Sequence, residues 1–454
     1  MTAPWEMTSG STGGGALHPA TAPAMTATRG PGETAMAGTA IDIDIARFAE
    51  LGDDLLPKLA RLQRADPLYW SEASRCWIAT GHDVVAEGFS GRLPLSAKRH
   101  EIIASFFPDG EERERKIGYL LHIFSKFLVN MDPPEQSRLR RLLMGAFSRG
   151  VAESFRPYAR QVVFETMAGI EGLSQIDFVS QVARPVTARI ILRMIGLSED
   201  YLARLELWAQ NINAGLSGSP EHDAIIAAND VLEEMRDVLE AEIAQRKVAG
   251  DGDFLSLLLS ARDGPDRLTK DEVIAQLMLV LIAGHDTTLN TMSLAVARLS
   301  SLPAERGFMR ANPLRFEACI MELMRVVSMS TAMARIVAED FEWAGRRLRK
   351  GEFVFLMIAG ANRDPAMFED PERIDFDRPQ QGNMTFAPGR HFCIGHWLAK
   401  MMMSELLPQF LERFEGWRVL EDRLPFTGSI GFRGPTRLRL RLEPRAPTAG
   451  PGRE

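Results

Sequence analysis

The chain has 454 residues, of which 45% are hydrophobic and 25% are charged, with a formal net charge of -7. This length suits one large domain or roughly two or three average ones, and the acidic balance excludes a nucleic-acid surface built on clustered basic residues. Three cysteines are too few for a disulfide framework in so long a chain, so we expect a reducing compartment, the cytoplasm.

The two ends of the chain differ in composition from the part between them. Residues 1–40 are mostly Gly, Ala, Thr, Ser and Pro, and such a segment buries too little apolar surface to order itself. We predict disordered tails at 1–40 and 443–454, and a single domain over 41–442 without repeats or linkers. The N-terminus lacks a signal-peptide pattern, and no apolar run reaches the ~20 uncharged residues of a membrane span.

The middle region is mainly helical by pattern, with a few strand-like segments. Apolar residues recur at helical spacing in 41–64, and helical patterns of this kind dominate from about residue 81 to 299. Alternating or β-branched segments, which predict strands, lie at 67–70, 76–80, 341–348, 353–358 and 438–442. A polar turn separates the first two, so we predict that they form a short hairpin. The predicted fold class is therefore mainly α with small β-sheets.

An apolar helical pattern beginning near Ile274 is interrupted by the sequence AGHDTT, residues 283–288. Gly and threonine are poor helix-interior residues, and a buried Asp is costly without a task. One interpretation is a kinked core helix. The other is a groove beside a cofactor, in which Ala283 and Gly284 leave room for dioxygen, Thr287 hydrogen-bonds it and Asp286 relays protons. The isolated motif does not decide between them, and we do not predict His285 as a ligand.

A second pattern places two opposite charges in an apolar helix. Glu322 and Arg325 are three residues apart, so they share one helix face, among Ile, Leu, Met and Val neighbours. On a solvated face this pair would contribute only ~0.2–0.5 kcal/mol. The apolar surroundings favour burial instead, with Arg378 as a third member of a structural network that clamps the segment around Cys393.

Cys393 lies in the segment MTFAPGRHFCIGHWLAK, residues 384–400, in a turn bounded by Gly389 and Gly395 and followed by an apolar helix. A thiolate is a soft, electron-donating ligand, and iron porphyrin is the partner that most naturally takes one such ligand alone. We predict that Cys393 binds a haem iron; a core cysteine or a nucleophile are the alternatives. Cys76 and Cys319 are predicted to be buried structural thiols.

Together these segments resemble the cytochrome P450 family. Its signatures occur in the family's order: AGxDTT at 283–288, Glu322-x-x-Arg325, Asn-Arg-Asp-Pro at 362–365, and Phe386-x-x-Gly389-x-x-x-Cys393-x-Gly395. Residues 131–140 also resemble the start of the family's C helix, so the resemblance covers about 67–442. It implies a soluble bacterial-type haem-thiolate monooxygenase with haem b (iron protoporphyrin IX) as cofactor.

The resemblance also implies roles for individual residues. Cys393 matches the proximal thiolate, and Asp286 and Thr287 match the catalytic acid–alcohol pair. The remaining positions that match haem contacts are Gln136, Arg140, Ala283, Gly284, Arg335, Phe386, Gly389, His391 and Gly395; of these, Arg140, Arg335 and His391, helped by Gln136, are expected to hold the propionates. Two positions depart from the usual pattern: Ala387 stands where Gly is common, and Gln136 where bacterial members often have His.

The expected function follows from the family. We expect O2 and electrons from a separate ferredoxin and NAD(P)H-dependent ferredoxin reductase to drive oxidation of a small or medium-sized hydrophobic substrate, such as a terpenoid, an aromatic or a secondary-metabolite intermediate. We predict that the walls of the substrate pocket are formed by 102–107, 278–283, 330–334 and 429–432. The alternatives are ring coupling, nitration or peroxide-driven oxidation by a haem-thiolate enzyme, and a non-catalytic haem sensor. We expect no nucleic acid and no membrane among the partners. Arg138, Arg141 and Lys400 are candidate cations for docking an acidic electron donor, and a solvated basic face is the alternative.

Overall fold

A computed structural model describes residues 42–215, 221–245, 254–427 and 429–445. The predicted tail at 1–40 and residues 446–454 of the predicted C-terminal tail lie outside these ranges. The last strand continues to Pro444, two residues beyond the predicted domain end at 442, because Glu443 and Pro444 still pair with the neighbouring strand.

The described part of the chain is mainly helical, with seventeen α-helices. They are α1 (Phe48–Leu51), α2 (Leu55–Ala65), α3 (His82–Phe89), α4 (His100–Ala104), α5 (Glu111–Ser125), α6 (Glu135–Leu143), α7 (Arg149–Ser154), α8 (Arg156–Gly169), α9 (Arg184–Ile195), α10 (Leu202–Gly215), α11 (His222–Gln245), α12 (Phe254–Ser260), α13 (Lys270–Leu299), α14 (Pro303–Ala311), α15 (Phe316–Val327), α16 (Ile358–Ala361) and α17 (His396–Arg413).

Twelve short strands in the described ranges form small sheets. They are β1 (Leu68–Ser71), β2 (Cys76–Ala79), β3 (Leu95–Ser96), β4 (Gln175–Asp177), β5 (Arg262–Asp263), β6 (Asp266–Arg267), β7 (Met333–Val337), β8 (Phe341–Trp343), β9 (Arg346–Leu348), β10 (Phe353–Leu356), β11 (Phe414–Val419) and β12 (Arg439–Pro444). The largest sheet has the order β1-β2-β10-β7-β3, with β10 parallel to β2. A second sheet has the order β11-β12-β4. The predicted fold class, mainly α with small sheets, is confirmed.

The helix α13 lies in the centre of the main apolar core. It begins at a capping box: the Thr269 hydroxyl accepts from the Glu272 amide, and the Glu272 carboxylate accepts from the Thr269 amide. By length and composition alone α13 would be long and apolar enough to cross a membrane, but 67% of its apolar window is buried inside the domain. Its buried face packs on α9, α11, α15 and α17.

The five-stranded sheet carries one cation to the interior. The predicted hairpin is confirmed as β1 paired with β2. The strand β7, which the sequence pattern did not reveal, pairs with β10 so that Arg335 stands opposite Val354. Because alternate side chains of a strand point to opposite faces, Arg335 and Met333 share one face of the sheet, on which Arg335 lies over the ring of Phe89 of α3. The sheet thus positions a buried guanidinium beside the helices.

Candidate functional site

The segment before α17 folds into a tight loop that presents Cys393. The Cys393 amide donates to the Phe386 carbonyl at 2.8 Å. Gly389 has φ +78°, and a Cβ there would lie 2.4 Å from the Phe89 carbonyl oxygen, so only glycine fits. Ala387 also has a positive φ, +52°, which favours glycine. That conformation explains why Gly is common at this position in the family that the sequence resembles.

The Cys393 thiol lies on the wall of a large, mostly apolar space, here called the central cavity. Its apolar lining includes Phe89, Leu128, Val129, Phe147, Met194, Leu279, Val280, Met329, Met333, Phe386, Ile394 and Phe432. Burial raises the pKa of the Cys393 thiol above its ordinary value, although the Gly395 amide and the charge of Arg140 act in the opposite direction. A metal ligand would need the thiolate, so coordination must supply the stabilisation that the protein alone does not.

The predicted buried network is present behind this loop. Glu322 and Arg325 are both fully buried and paired through two hydrogen bonds of 2.9 and 2.8 Å. Arg378 donates to the same carboxylate at 3.1 Å, and Arg325 also donates to the Asn362 carbonyl at 2.7 Å. The Asn362 side chain in turn accepts from the Met384 amide at 2.7 Å. The network therefore holds the first residue of the segment that carries Cys393.

Four basic side chains meet at another part of the cavity wall, and Arg335 among them is buried. Arg99, Arg140, Arg335 and His391 all line the central cavity. Burial and the nearby charge of Arg99 lower the pKa of Arg335 to about 9, and burial lowers the pKa of Arg99 to about 10. Burial, together with Arg335 and Arg99, lowers the pKa of His391 to about 3. Among the described residues, none of the three arginines forms an ion pair. The charge of Asp132 only partly opposes the lowering of the Arg335 pKa, so the cavity wall carries an excess of positive charge.

These features fit a haem. Its propionates would supply the carboxylates that the arginines lack, and its iron would take the one thiolate that faces the cavity. A Cβ at Gly395 would meet nothing within 4 Å. Protein packing therefore does not require glycine there, whereas a flat cofactor against the loop would. Apolar walls suit the porphyrin faces.

On the helix α13, Thr287 and its neighbours line the same cavity. Ala283, Gly284 and Thr287 line it, and the Thr287 hydroxyl donates to the Ala283 carbonyl at 2.6 Å. The helix nevertheless runs without interruption from Lys270 to Leu299. A Cβ at Gly284 would lie 2.7 Å from Cδ1 of Ile191, so this glycine also permits the close approach of α9.

Asp286 points away from the cavity. It is absent from the cavity lining; its Oδ2 accepts a hydrogen bond from the Asn213 amide of α10, and its Oδ1 lies 3.7 Å from Nε2 of His285. His285 is buried, and its Nδ1 lies 2.9 Å from the Thr187 hydroxyl. The two residues of the predicted acid–alcohol pair are thus on different sides of α13.

Nine of the twelve predicted site residues meet at the central cavity: Arg140, Ala283, Gly284, Thr287, Arg335, Phe386, His391, Cys393 and Gly395. Gln136, Asp286 and Gly389 do not line it. The Gln136 amide donates to the Arg390 carbonyl at 2.8 Å, so Gln136 braces the cysteine loop. Its contact with a propionate stays a prediction.

The predicted substrate walls are partly present. Residues of 278–283, 330–334 and 429–432 line the central cavity, whereas none of 102–107 does. Leu128 and Val129 lie on the wall instead. Phe107 is buried in the helical core, and the Phe106 carbonyl contacts His222. The helices α4 and α5 thus turn this segment toward α11.

Sequence reasoning missed Arg99. It stands in the run Lys98-Arg99-His100, which is typical of an exposed surface. Its guanidinium donates to the Asn130 side chain at 3.0 Å and to the Val129 carbonyl at 3.5 Å. These acceptors lie about thirty residues downstream, so no local pattern in the sequence predicts its burial.

Three other cations that looked like a docking face for an acidic protein are already paired. Arg138 binds Glu272 at 2.6 Å and Asp266 at 2.8 Å. Arg141 binds Asp263, and Lys400 binds Glu317. These pairs favour the alternative interpretation, a charged surface that is neutralised within the chain.

The comparisons with known proteins agree with this geometry. The family model described as Cytochrome P450 matches residues 107–304 and 314–426. The biotin biosynthesis cytochrome P450 of Bacillus subtilis is 28% identical over 372 residues, covering 81% of this chain and 90% of that protein. The mycinamicin IV hydroxylase/epoxidase of Micromonospora griseorubida is 32% identical, covering 68% and 78% respectively.

The fold also matches solved structures. The structure of P450BioI in complex with acyl carrier protein ligated to hexadec-9Z-enoic acid superposes with a TM-score of 0.77. The match covers 87% of this chain and 99% of that one at 24% identity, so it supports the fold alone.

Proposed function

This chain belongs to the cytochrome P450 family of haem-dependent monooxygenases, and we propose that it inserts one oxygen atom from O2 into a small or medium-sized hydrophobic substrate. The single observation that carries the proposal is that Cys393 and Thr287 line the same, mostly apolar cavity. An apolar wall favours a terpenoid, an aromatic or another secondary-metabolite intermediate over a highly charged molecule.

We assign the cofactor as haem b. Cys393 would hold its iron, and Arg99, Arg140, Arg335 and His391 would hold its propionates. Bound in this way, the haem supplies the reductive cleavage of O2, which the electron-donating thiolate favours. The support is the excess of positive charge on the cavity wall and the open space beside Gly395.

The chain's own contribution is to supply protons and exclude water. Both threonines of the AGHDTT segment, Thr287 and Thr288, line the cavity, and at rest the Thr287 hydroxyl donates its proton to the Ala283 carbonyl. To serve dioxygen, the hydroxyl must rotate away from this carbonyl. Asp286, which reaches solvent on the other side of α13, would replace the proton. Positioned proton donors typically contribute ~10²–10⁴ in rate.

The electrons are proposed to come from a separate ferredoxin and its NAD(P)H-dependent reductase in the cytoplasm. The chain has three cysteines, fewer than the four thiolates of a ferredoxin-type cluster. A cluster of that type is therefore not built from these 454 residues.

The test combines binding with turnover. Purified holoprotein is screened with terpenoids, aromatics and fatty-acyl substrates, both free and attached to a carrier protein, for the spectral change that follows displacement of water from the iron. Each hit is then incubated with a surrogate ferredoxin, its reductase, NADPH and ¹⁸O₂. The proposal predicts a product that contains one ¹⁸O atom. A product without oxygen incorporation would indicate coupling chemistry, and a product formed with peroxide but not with NADPH would indicate a peroxygenase; either result overturns the proposal.

A further inference from the structure

His285 is a buried titratable residue that the proposed chemistry does not use. It lies on α13 immediately before Asp286 and is 3% exposed. Its ring is held between two elements. Nδ1 lies 2.9 Å from the Thr187 hydroxyl of α9, and Nε2 lies 3.7 Å from Oδ1 of Asp286. Each ring nitrogen therefore has one polar neighbour within the described residues.

The direction of the Thr187 hydroxyl bond determines which ring nitrogen of His285 carries the proton. The Thr187 oxygen lies 2.9 Å from the Ala183 carbonyl oxygen and 3.2 Å from the Arg184 carbonyl oxygen. A hydroxyl has one proton. A hydroxyl oxygen this close to a carbonyl oxygen must donate its proton to that carbonyl, because neither oxygen otherwise carries a hydrogen. The Thr187 proton is thus committed to the backbone, and His285 Nδ1 must bring its own proton to the contact. The neutral imidazole then has a bare lone pair at Nε2.

That lone pair faces a carboxylate. At 3.7 Å the Nε2–Oδ1 contact is too long for a hydrogen bond, and neither atom has a proton when Asp286 is ionised and His285 is neutral. The other oxygen of Asp286 is occupied by the Asn213 amide, so the carboxylate cannot turn away freely. One additional proton between Nε2 and Oδ1 would satisfy both atoms.

Three elements place charges around His285. Asp286 of α13 and Glu206 of α10 favour its protonated form, whereas Arg184 of α9 and burial oppose it, and the net effect lowers the pKa of His285. Arg184 and Glu206 also pair with each other, which weakens the effect of both. At neutral pH the imidazole is therefore neutral, and the site between Nε2 and Oδ1 is free to accept a proton.

We propose that His285 is a positioning residue for Asp286. With its Nδ1 proton held by Thr187, it offers a bare Nε2 that takes up a proton beside Oδ1 and returns it to that carboxylate. This inference rests on the proposed function, in which Asp286 replaces the proton of Thr287. It adds a residue pair, Thr187 and His285, that returns protons to Asp286.

The proton balance is closed without electron transfer. A hydronium ion at the partly exposed Asp286 side chain donates a proton to Oδ1 and leaves as water. The O–H bond then breaks as an N–H bond forms at Nε2, which leaves the carboxylate ionised beside an imidazolium. The reverse transfer restores a neutral imidazole, still protonated at Nδ1, and a protonated Asp286.

The tautomer can be measured without turnover. The perdeuterated holoprotein is labelled with ¹⁵N-histidine, converted to the diamagnetic ferrous carbon monoxide form, and its ring nitrogens are recorded by long-range ¹H–¹⁵N correlation. The variant His285→Gln identifies the signal. The proposal predicts that neutral His285 has its proton on Nδ1. Thr187→Val should move it to Nε2, while Thr187→Ser should not. A proton on Nε2 in the wild type overturns the proposal.

The second measurement tests the link to Asp286. In Asp286→Asn, His285 should protonate only at lower pH than in the wild type, because an attractive charge is lost. Asp271→Asn, which removes an exposed acid from the first turn of the same helix, should cause no such shift. An unchanged titration in Asp286→Asn would contradict the pairing of the two side chains.

Coupling reports the functional consequence. In His285→Gln we expect roughly a tenfold or larger fall in product formed per NADPH and a larger solvent isotope effect, with unchanged haem content and carbon monoxide spectrum. Unchanged coupling would overturn the proton role. If the wild type oxidises no substrate, the proposed function fails. The ¹⁵N measurement of the His285 tautomer does not depend on turnover, so it still tests the contact between Thr187 and His285.

Discussion

Arg335 and Arg99 lie on one wall of the central cavity, and the positive charge of Arg99 helps to lower the pKa of Arg335. Two like charges held together in an apolar interior destabilise a protein unless an anion lies between or beside them. We attribute this arrangement to the haem propionates.

The first prediction follows from that arrangement. Arg335→Met should weaken haem binding by roughly tenfold or more, because a charge-assisted hydrogen bond contributes ~1.5–3 kcal/mol. The haem-free protein should be no less stable, since a buried charge has been removed. Haem transfer to apomyoglobin and urea unfolding of the haem-free form measure the two quantities. Arg346→Met, which breaks a partly exposed pair with Asp66, is the control. Equal haem affinity in both variants would contradict the assignment.

The second prediction concerns the buried network. Glu322→Gln leaves Arg325 without its carboxylate in a site where both side chains are fully buried. Breaking such a pair costs about 3–5 kcal/mol, and the segment at Met384 loses its support. We expect a lower melting temperature and poor haem retention. Glu317→Gln, on the same helix α15 but in the pair with Lys400, should change stability by less than about 1 kcal/mol. Similar losses in the two variants would refute a special role for Glu322.

The third prediction distinguishes a proton-donor role of the Thr287 hydroxyl from a purely structural role in α13. Thr287→Ala should lower coupled product formation by roughly tenfold or more and raise peroxide release, while substrate binding is retained. Ser293→Ala removes the same kind of bond to a carbonyl one turn earlier, but Ser293 does not line the cavity, so coupling should be unchanged. If Thr287→Ala behaves like Ser293→Ala, the proton-donor role is wrong.

The fourth prediction is a pH dependence of stability at the start of α13. Burial raises the pKa of Glu272, but its bonds with Arg138 and Thr269 outweigh burial, so the net pKa is lowered. A carboxylate with a lowered pKa stabilises the folded state above its unfolded pKa, and this stabilisation is lost as the pH falls through the folded value. Glu272→Gln should therefore lower the free energy of unfolding by about 1 kcal/mol at pH 7.

This difference should shrink as the pH falls below about 4. Urea unfolding at several pH values measures it. Asp263→Asn, which breaks the exposed pair with Arg141, serves as the control and should show little change at any pH. A gap that stays constant down to pH 3 would mean that the charge of Glu272 is not the cause.

The sequence predicted those parts of the site that depend on short-range patterns. The β1–β2 hairpin, the buried Glu322–Arg325 pair and the cysteine loop are each determined by residues close together in the chain. Arg99 and β7 could not be predicted in this way, because the partners that bury them come from distant segments.

Asp286 illustrates a different limit. Adjacent residues on a helix point about 100° apart, and here Thr287 faces the central cavity whereas Asp286 does not. The motif suggests a pair acting side by side, whereas helix geometry separates them and brings Asp286 to Asn213 and His285. A motif gives the residue types, and the packing of α9 and α10 against α13 decides which of them meet.

The central claim is that Cys393 is the thiolate ligand of a haem iron. Reduction of the purified holoprotein under carbon monoxide, followed by recording of the Soret band, tests it most directly. We predict the strongly red-shifted band of a thiolate-ligated haem, and its loss in Cys393→Ser, while Cys319→Ser on the buried face of α15 keeps it. A Soret band at the ordinary position in the wild type, or one that survives in Cys393→Ser, would contradict the account.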